Sequence, residues 1–98
     1  MLVLGFPDYD RQASALAKAL NAPYRLIELH RFPDGESLLR LPPALPGQVV
    51  LCRSLDRPNG KLVELLLAAG CARQLGASQL ILVAPYLCYM RQDKAFRT

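Results

Sequence analysis

Several features that would assign the chain to a common functional class are absent from its 98 residues. No apolar run reaches the roughly 18 residues that a membrane-spanning helix needs, so we do not expect a membrane protein. Lysine and arginine are scattered and the net charge is +4, which favours anionic ligands without indicating a nucleic-acid-binding protein. Because the first residues, 1–4, have no basic flank, we expect no signal peptide.

Metal-binding and disulfide patterns are lacking as well. Cys52, Cys71 and Cys88 are far apart in apolar surroundings, and no two have the spacing of a zinc site. We interpret them as reduced core thiols of a cytoplasmic protein. The one histidine, His30, has no metal-ligand partners at a useful spacing and is predicted to be a strand-end side chain.

The chain is rich in apolar residues, because 52% of its residues are hydrophobic. That suits one small domain with a core, and the excess indicates surface that faces another domain or subunit. The aliphatic run 80–84, bounded by polar residues and by Pro85, is typical of a strand buried on both faces. The expected order is strand, helix, strand, strand, strand, helix, strand. It predicts a three-layer α/β/α fold with a mainly parallel sheet.

Two helices are predicted. The first has an apolar stripe at residues 13, 16, 17 and 20 and a cap at Asp8 or Asp10. The second, 62–74, follows a cap at Asn59 and ends at Gly76. It is apolar on nearly all sides, which predicts that more than one neighbouring element covers it.

A hairpin-like pair of strands is predicted in the middle of the chain, from residues 24–31 and 37–41. The first strand is expected to point Leu26 and Ile27 inward. The connecting segment 32–36 is a turn in which Pro33 and Gly35 supply the special backbone angles. Its two carboxylates are first interpreted as ordinary turn residues. Phe32 beside them is also a candidate for stacking on a ligand base.

Two polar clusters follow buried strands, where ligands bind in open α/β sheets. One is the loop 53–61, with three cations and Ser54, which resembles an anion-binding turn but has no Walker glycine spacing. The other is Arg91-Gln92-Asp93 with Lys94 behind it. A fork-shaped cation, an amide and a carboxylate can hold a phosphate and a polar base or sugar. A solvated, charged helix start is the alternative.

On three segments the chain resembles the N-terminal domain of ribose-phosphate pyrophosphokinase, also called phosphoribosyl pyrophosphate synthetase. They are Arg31-Phe32-Pro33-Asp34-Gly35-Glu36, then Asn59-Gly60-Lys61-Leu62-Val63-Glu64-Leu65-Leu66, then Pro85-Tyr86-Leu87-Cys88-Tyr89-Met90-Arg91-Gln92-Asp93-Lys94. The last is similar to the family's Pro-Tyr-x-x-Tyr-x-Arg-Gln-Asp motif. The resemblance spans essentially the whole chain but only about the first third of a family enzyme. It implies that residues 1–98 are the N-terminal ATP-binding domain of a longer two-domain enzyme, with a phosphoribosyltransferase-like fold.

Enzymes of this family transfer the β,γ-diphosphoryl group of ATP to ribose 5-phosphate with Mg²⁺. The resemblance implies two sets of ATP contacts. The first set is Arg91, Gln92, Asp93 and Lys94. The second set contacts the adenine of an ATP bound mainly by a neighbouring subunit of a homo-oligomer, and it consists of Phe32, Asp34, Gly35 and Glu36. The catalytic residues and the Mg²⁺ site are expected beyond Thr98. The 98-residue chain alone is therefore expected to be inactive, and we expect neither nucleic acid nor membrane among its partners.

Two other functions remain open. A non-catalytic regulatory relative would keep the fold and subunit contacts, whereas a phosphoribosyltransferase would share the fold class without needing the triplet 91–93. The chain also departs from the family pattern. Gly5-Phe6-Pro7 lacks the polar residues usual after the first strand, and Phe96 stands where many members have an aspartate.

Overall fold

The structure, a computed structural model of the chain, describes residues 1–85, apart from the side chain of Pro58. This part contains two α-helices and six strands, with one turn of 3-10 helix, Pro7–Tyr9, after the first strand. In chain order they are β1 (Leu2–Gly5), α1 (Asp10–Ala19), β2 (Tyr24–Leu26), β3 (Glu28–Arg31), β4 (Ser37–Arg40), β5 (Gln48–Cys52), α2 (Pro58–Gln74) and β6 (Gln79–Val83).

Four of the strands form a parallel sheet in the order β2-β1-β5-β6. The helices α1 and α2 are the crossover connections that parallel neighbours require: α1 leads from β1 to β2, and α2 from β5 to β6. Leu51 of β5 lies opposite both Leu4 of β1 and Leu82 of β6. The predicted α/β class with a mainly parallel sheet is confirmed.

The sheet separates two hydrophobic cores, because successive side chains of a strand point to opposite faces. On one face, residues such as Leu4, Val49 and Leu51 pack with Leu65 and Ala68 of α2. The other face packs against α1, and its buried members are Val3, Ala13, Ala17, Val50 and Cys52. The two helices therefore cover opposite faces, which makes the three layers that the strand pattern predicted.

The predicted single strand 24–31 is wrong, because the structure divides it at Ile27. The Ile27 N–H donates to the carbonyl of Gly5 (2.8 Å) at the end of β1, and its side chain is fully buried. From there the chain leaves the parallel sheet as β3, which pairs antiparallel with β4 in a separate two-stranded sheet. The hairpin is thus confirmed. Ile27 points inward as predicted, but Leu26 does not, since it is 43% exposed.

The predicted N-cap residues of both helices are wrong, and the predicted end of the second helix at Gly76 is confirmed. Tyr9 occupies the cap position of α1 without a side-chain cap hydrogen bond, and Asp10 lies in its first turn. Helix α2 begins before Asn59, after Arg57 in a left-handed conformation (φ 52°). Gly76 follows the end of α2 with φ 120°. A Cβ there would lie 2.9 Å from the carbonyl oxygen of Leu45, so glycine is required for both reasons.

Within the described residues, helix α2 packs against both the parallel sheet and the hairpin, so the prediction of more than one covering element is confirmed, although one side of the helix stays uncovered. Leu65, Ala68 and Ala72 are buried against the sheet. On the opposite side Val63, Leu66 and Leu67 are 57%, 72% and 47% exposed. Their spacing of three and four residues places them on one apolar stripe. Between residues 1 and 85, no helix is long and apolar enough to cross a membrane.

Candidate functional site

The turn 32–36 connects β3 to β4 in a closed, hydrogen-bonded loop. The Gly35 N–H donates to the carbonyl of Phe32 (3.0 Å), and the Phe32 N–H donates to the carbonyl of Glu36 (2.8 Å). Asp34 Oδ1 accepts from the Glu36 N–H (3.1 Å). Gly35 has φ 92°, which L side chains rarely adopt. Pro33, Asp34 and Gly35 therefore form a three-residue hairpin loop of the kind these residue types favour.

The turn presents an aromatic ring beside exposed carboxylates. Phe32 is 41% exposed, and its ring packs edge-to-face against His30, with 4.5 Å between centroids and an interplanar angle of 77°. Asp34 and Glu36 are both exposed, although one oxygen of Asp34 is engaged in the turn. The structure thus brings together four of the predicted site residues: Phe32, Asp34, Gly35 and Glu36. A planar ligand with amino groups can bind here by stacking and by donating to carboxylates.

The second predicted group of site residues lies after β6. Arg91, Gln92, Asp93 and Lys94 fall outside the described residues. The end of β6 lies beside the end of β5, because the Arg53 N–H donates to the carbonyl of Val83 (3.1 Å). The chain therefore passes Pro85 at the carboxyl edge of the parallel sheet, where this type of fold binds ligands.

Arg53, at this edge, is fully buried and has partners on all sides. Its Nη2 lies 2.9 Å from Glu64 Oε1, and its Nε lies 3.2 Å from Asp8 Oδ1. Its Nη1 donates to the carbonyl of Lys61 (3.4 Å). The guanidinium carbon lies 4.2 Å from the centre of the Phe6 ring, a cation–π contact. Phe6 thus covers one face of the buried guanidinium.

Glu64 of α2 connects Arg53 to the hairpin. Its carboxylate accepts two hydrogen bonds from Arg31 (Nε 3.0 Å, Nη2 3.1 Å) and one from the Ser37 hydroxyl (3.0 Å). Arg31 and Ser37 are directly opposite each other in the β3–β4 ladder. Burial alone would raise the pKa of Glu64, but the hydrogen bonds from Arg31, Arg53 and Ser37 outweigh it and hold the pKa below its ordinary value. Glu64 is therefore an ionised, buried carboxylate.

The loop 53–61 is not the open anion-binding turn that its cations suggested. Lys61 Nζ lies 2.8 Å from Asp56 Oδ1 and 3.5 Å from Asp8 Oδ2. The hydrogen bond from Lys61, followed by one from Ser54, lowers the pKa of Asp56. Arg53 and Lys61 therefore neutralise carboxylates of the same chain, and their charges are already compensated within the fold.

The residues that sequence reasoning missed are Asp8 and Glu64. One signal for Glu64 was available, since it is the one acidic side chain of α2 and interrupts an apolar run. A charge at a helix position that faces the core must be paired. The buried partner of Glu64 is Arg53, which follows β5. Sequence alone does not identify this partner, because the pairing depends on how the sheet places the end of β5 beside α2.

The comparisons with known proteins agree with this fold. The family model described as the N-terminal domain of ribose phosphate pyrophosphokinase matches residues 1–98. The chain belongs to the ribose-phosphate pyrophosphokinase family. A curated relative of that name from Methanopyrus kandleri is 38% identical over 97 residues, covering 98% of this chain and 33% of the relative. One from Saccharolobus solfataricus is 38% identical over 99 residues, covering 99% and 34%.

A third relative of the same name, from Halobacterium salinarum, is 38% identical over 84 residues, covering 86% of this chain and 30% of its own length. The chain thus spans about a third of the length of the curated relatives it matches. The resemblance that the three sequence segments indicated is confirmed at the level of the family.

The described residues do not fit a divalent metal site. Among residues 1–85, no group of three or more histidine, cysteine, aspartate or glutamate side chains could hold a metal ion. Asp8 and Glu64, the carboxylates at the sheet edge, are already bonded to arginine and lysine. The Mg²⁺ that the family implies has no ligand set among residues 1–85.

Proposed function

We propose that this chain supplies the N-terminal ATP-binding part, residues 1–98, of a two-domain ribose-phosphate diphosphokinase. That enzyme would transfer the diphosphoryl group of ATP to ribose 5-phosphate, giving phosphoribosyl pyrophosphate and AMP. Family membership supports the reaction class, because the curated relatives carry the name of this enzyme. The contribution of this chain is to bind and orient the nucleotide, and the 98-residue chain alone has no diphosphotransferase activity.

The ATP-binding proposal rests on which residues form the turn 32–36 and on their exposure to solvent. Phe32 offers a ring face of the size of a base, and an offset stack on such a face is favourable. The carboxylates of Asp34 and Glu36 are hydrogen-bond acceptors, and the exocyclic amine of adenine is a donor. Gly35 permits the φ of 92° that the turn requires, and no atom lies within 4 Å of its Cβ position, so the space beside the turn is open. Guanine presents a carbonyl oxygen at the same position, which a carboxylate repels.

The phosphates would be held by the segment after β6. Arg91 can bond two phosphate oxygens at once, and Gln92, Asp93 and Lys94 supply further polar contacts. The hairpin is a separate small sheet with an exposed outer side, where Leu38 is 51% exposed. It can therefore contribute its turn to an ATP bound mainly by a neighbouring subunit. We infer a homo-oligomer on this basis.

A cytoplasmic location is part of the same proposal. Cys52 and Cys71 are free thiols within the described residues, and burial raises the pKa of the Cys52 thiol. A buried thiol of raised pKa is unreactive, which suits a protein that keeps its cysteines reduced.

The experiment compares ATP binding by the full gene product with that of two variants. Phe32→Ala removes the proposed stacking face and is expected to raise the Kd for ATP about tenfold. Leu38→Ala removes a comparably exposed apolar side chain from the same hairpin and is expected to leave the Kd unchanged. Equal, small effects of both variants would overturn the proposed role of the turn. ATP binding without turnover by the unaltered protein would identify the non-catalytic regulatory relative instead.

A further inference from the structure

One buried carboxylate contacts both ends of the candidate nucleotide turn. Arg31 and Ser37 are the last residue of β3 and the first of β4, and they flank the turn 32–36 as a directly opposed pair. Both donate to Glu64, at distances of 3.0 to 3.1 Å. Side chains held this way fix the turn end of the hairpin against α2.

The same carboxylate reaches the edge of the parallel sheet. Glu64 Oε1 lies 2.9 Å from Arg53 Nη2, and the Arg53 main chain bonds Val83 at the end of β6. Only a few residues separate Val83 from the segment that carries Arg91. Glu64 therefore contacts the residues that flank the turn on one side and Arg53 at the sheet edge on the other.

The two halves of this network differ in burial. The side chains of Arg53 and Glu64 are 0% and 4% exposed, whereas that of Arg31 is 63% exposed. The bonds from Arg31 and Ser37 thus join a hairpin at the surface to a pair in the core. Removing them would free the turn end of the hairpin from Glu64, whereas the contacts of Arg53 with Glu64 and Asp8 involve neither side chain.

We propose that Glu64 is a positioning residue that orients the turn 32–36 for adenine selection, an inference that rests on the proposed function. Stacking and carboxylate–amine hydrogen bonds require placement to within about half an ångström. Because Arg31 and Ser37 directly flank the turn, any looseness of these two residues displaces the side chains of residues 32–36. The bonds from Arg31 and Ser37 therefore set both the affinity for ATP and its discrimination from GTP, although Glu64 itself touches neither nucleotide.

The test measures Kd for ATP and for GTP with the full gene product by titration calorimetry, so that it does not depend on turnover. Arg31→Gln and Ser37→Ala release one end of the turn each, and the double variant releases both. We expect the double variant to bind ATP roughly tenfold more weakly and GTP about as before, with a small change in melting temperature. Arg40→Gln is the matched control, because Arg40 lies on the same hairpin in an exposed pair with Glu28, and it should leave both Kd values unchanged.

A conservative variant separates positioning from general loss of structure. Ser37→Thr keeps the hydroxyl that donates to Glu64, and it is expected to retain the ATP preference that Ser37→Ala weakens. Parallel weakening of ATP and GTP together with a large drop in melting temperature would overturn the inference. Unchanged selectivity in the double variant would also overturn it. If Phe32→Ala weakens ATP binding while the double variant does not, the proposed function stands and this inference fails; if neither does, both fail.

Discussion

Arg53 and Glu64 form an ion pair with 2.9 Å between Nη2 and Oε1, and both side chains are withdrawn from solvent. A buried charge is tolerated when its hydrogen-bonding capacity is filled. Asp8 and a main-chain carbonyl do this for Arg53, whose guanidinium also lies over the Phe6 ring, and Arg31 and Ser37 do it for Glu64. The pair joins the end of β5 to α2 at the edge where ligands are expected.

Breaking this pair is expected to cost stability. Arg53→Met leaves Glu64 buried without its closest cation and should lower the free energy of unfolding by about 3 kcal/mol. Arg40→Gln breaks an exposed pair with Glu28 and should cost less than about 1 kcal/mol. Urea denaturation of both variants measures the difference. Equal costs would show that burial does not distinguish the two pairs.

The contribution of Glu64 should depend on pH. Its pKa is lower in the folded protein than the ordinary value of 4.5. Its stabilisation is therefore complete above that value and is lost as the pH falls through the folded-state pKa. The difference in unfolding free energy between the unaltered protein and Glu64→Gln is expected to be constant above about pH 6 and to shrink between about pH 5 and pH 3. A difference that stays constant down to about pH 3 would contradict an ionised Glu64.

Replacing either of two glycines, one inside α2 and one just after it, by alanine should change the stability in opposite directions. Gly76 has φ 120° and no room for a Cβ beside Leu45, so Gly76→Ala should destabilise by about 1–3 kcal/mol. Gly70 lies inside α2 with no atom within 4 Å of its Cβ position, so Gly70→Ala should stabilise by about 0.5–1 kcal/mol. Thermal unfolding compares them. A destabilising Gly70→Ala would indicate that another element packs closely on that side of the helix.

The elements that local pattern determines were predictable from the sequence. The aliphatic run 80–84 largely corresponds to β6, and the turn chemistry of Pro33 and Gly35 predicted the hairpin. The prediction that this strand is buried on both faces is wrong for the described residues, because β6 is at the edge of the sheet and Leu82 is 45% exposed. The division of 24–31 was not predictable, because Leu26 and Ile27 have the same local preferences. Only the hydrogen bond from Ile27 to Gly5 in another strand determines where the chain leaves the sheet.

The candidate site shows the same limit. Phe32, Asp34, Gly35 and Glu36 are adjacent in sequence, so the turn that groups them was predictable. Glu64 lies 27 residues beyond Ser37 and 33 beyond Arg31. The hydrogen bonds from Arg31 and Ser37 to Glu64 form because α2 packs beside the hairpin. The spacing of these residues in the sequence does not predict them. The predicted helix caps failed for a related reason, since Asp10 instead accepts a hydrogen bond from the Tyr24 hydroxyl.

Arg91 is expected to contact phosphate rather than to support the fold. It follows a strand that ends at the ligand-binding edge of the sheet. In the full gene product, Arg91→Ala should weaken ATP use at least about tenfold, the equivalent of one charge-assisted bond. Arg91→Lys should restore it only in part, because lysine has no planar fork. Unchanged kinetics with a large drop in melting temperature would instead make Arg91 a structural residue.

Phosphorus NMR can identify the products that the proposed diphosphotransferase reaction would form. The full gene product is incubated with ATP, ribose 5-phosphate and Mg²⁺, and the 98-residue chain alone serves as a parallel sample. We expect AMP and a diphosphate ester of ribose 5-phosphate in equal amounts from the full gene product, and neither from the short chain. Formation of ADP, or no turnover despite ATP binding, would contradict a diphosphotransferase that binds its nucleotide through this domain.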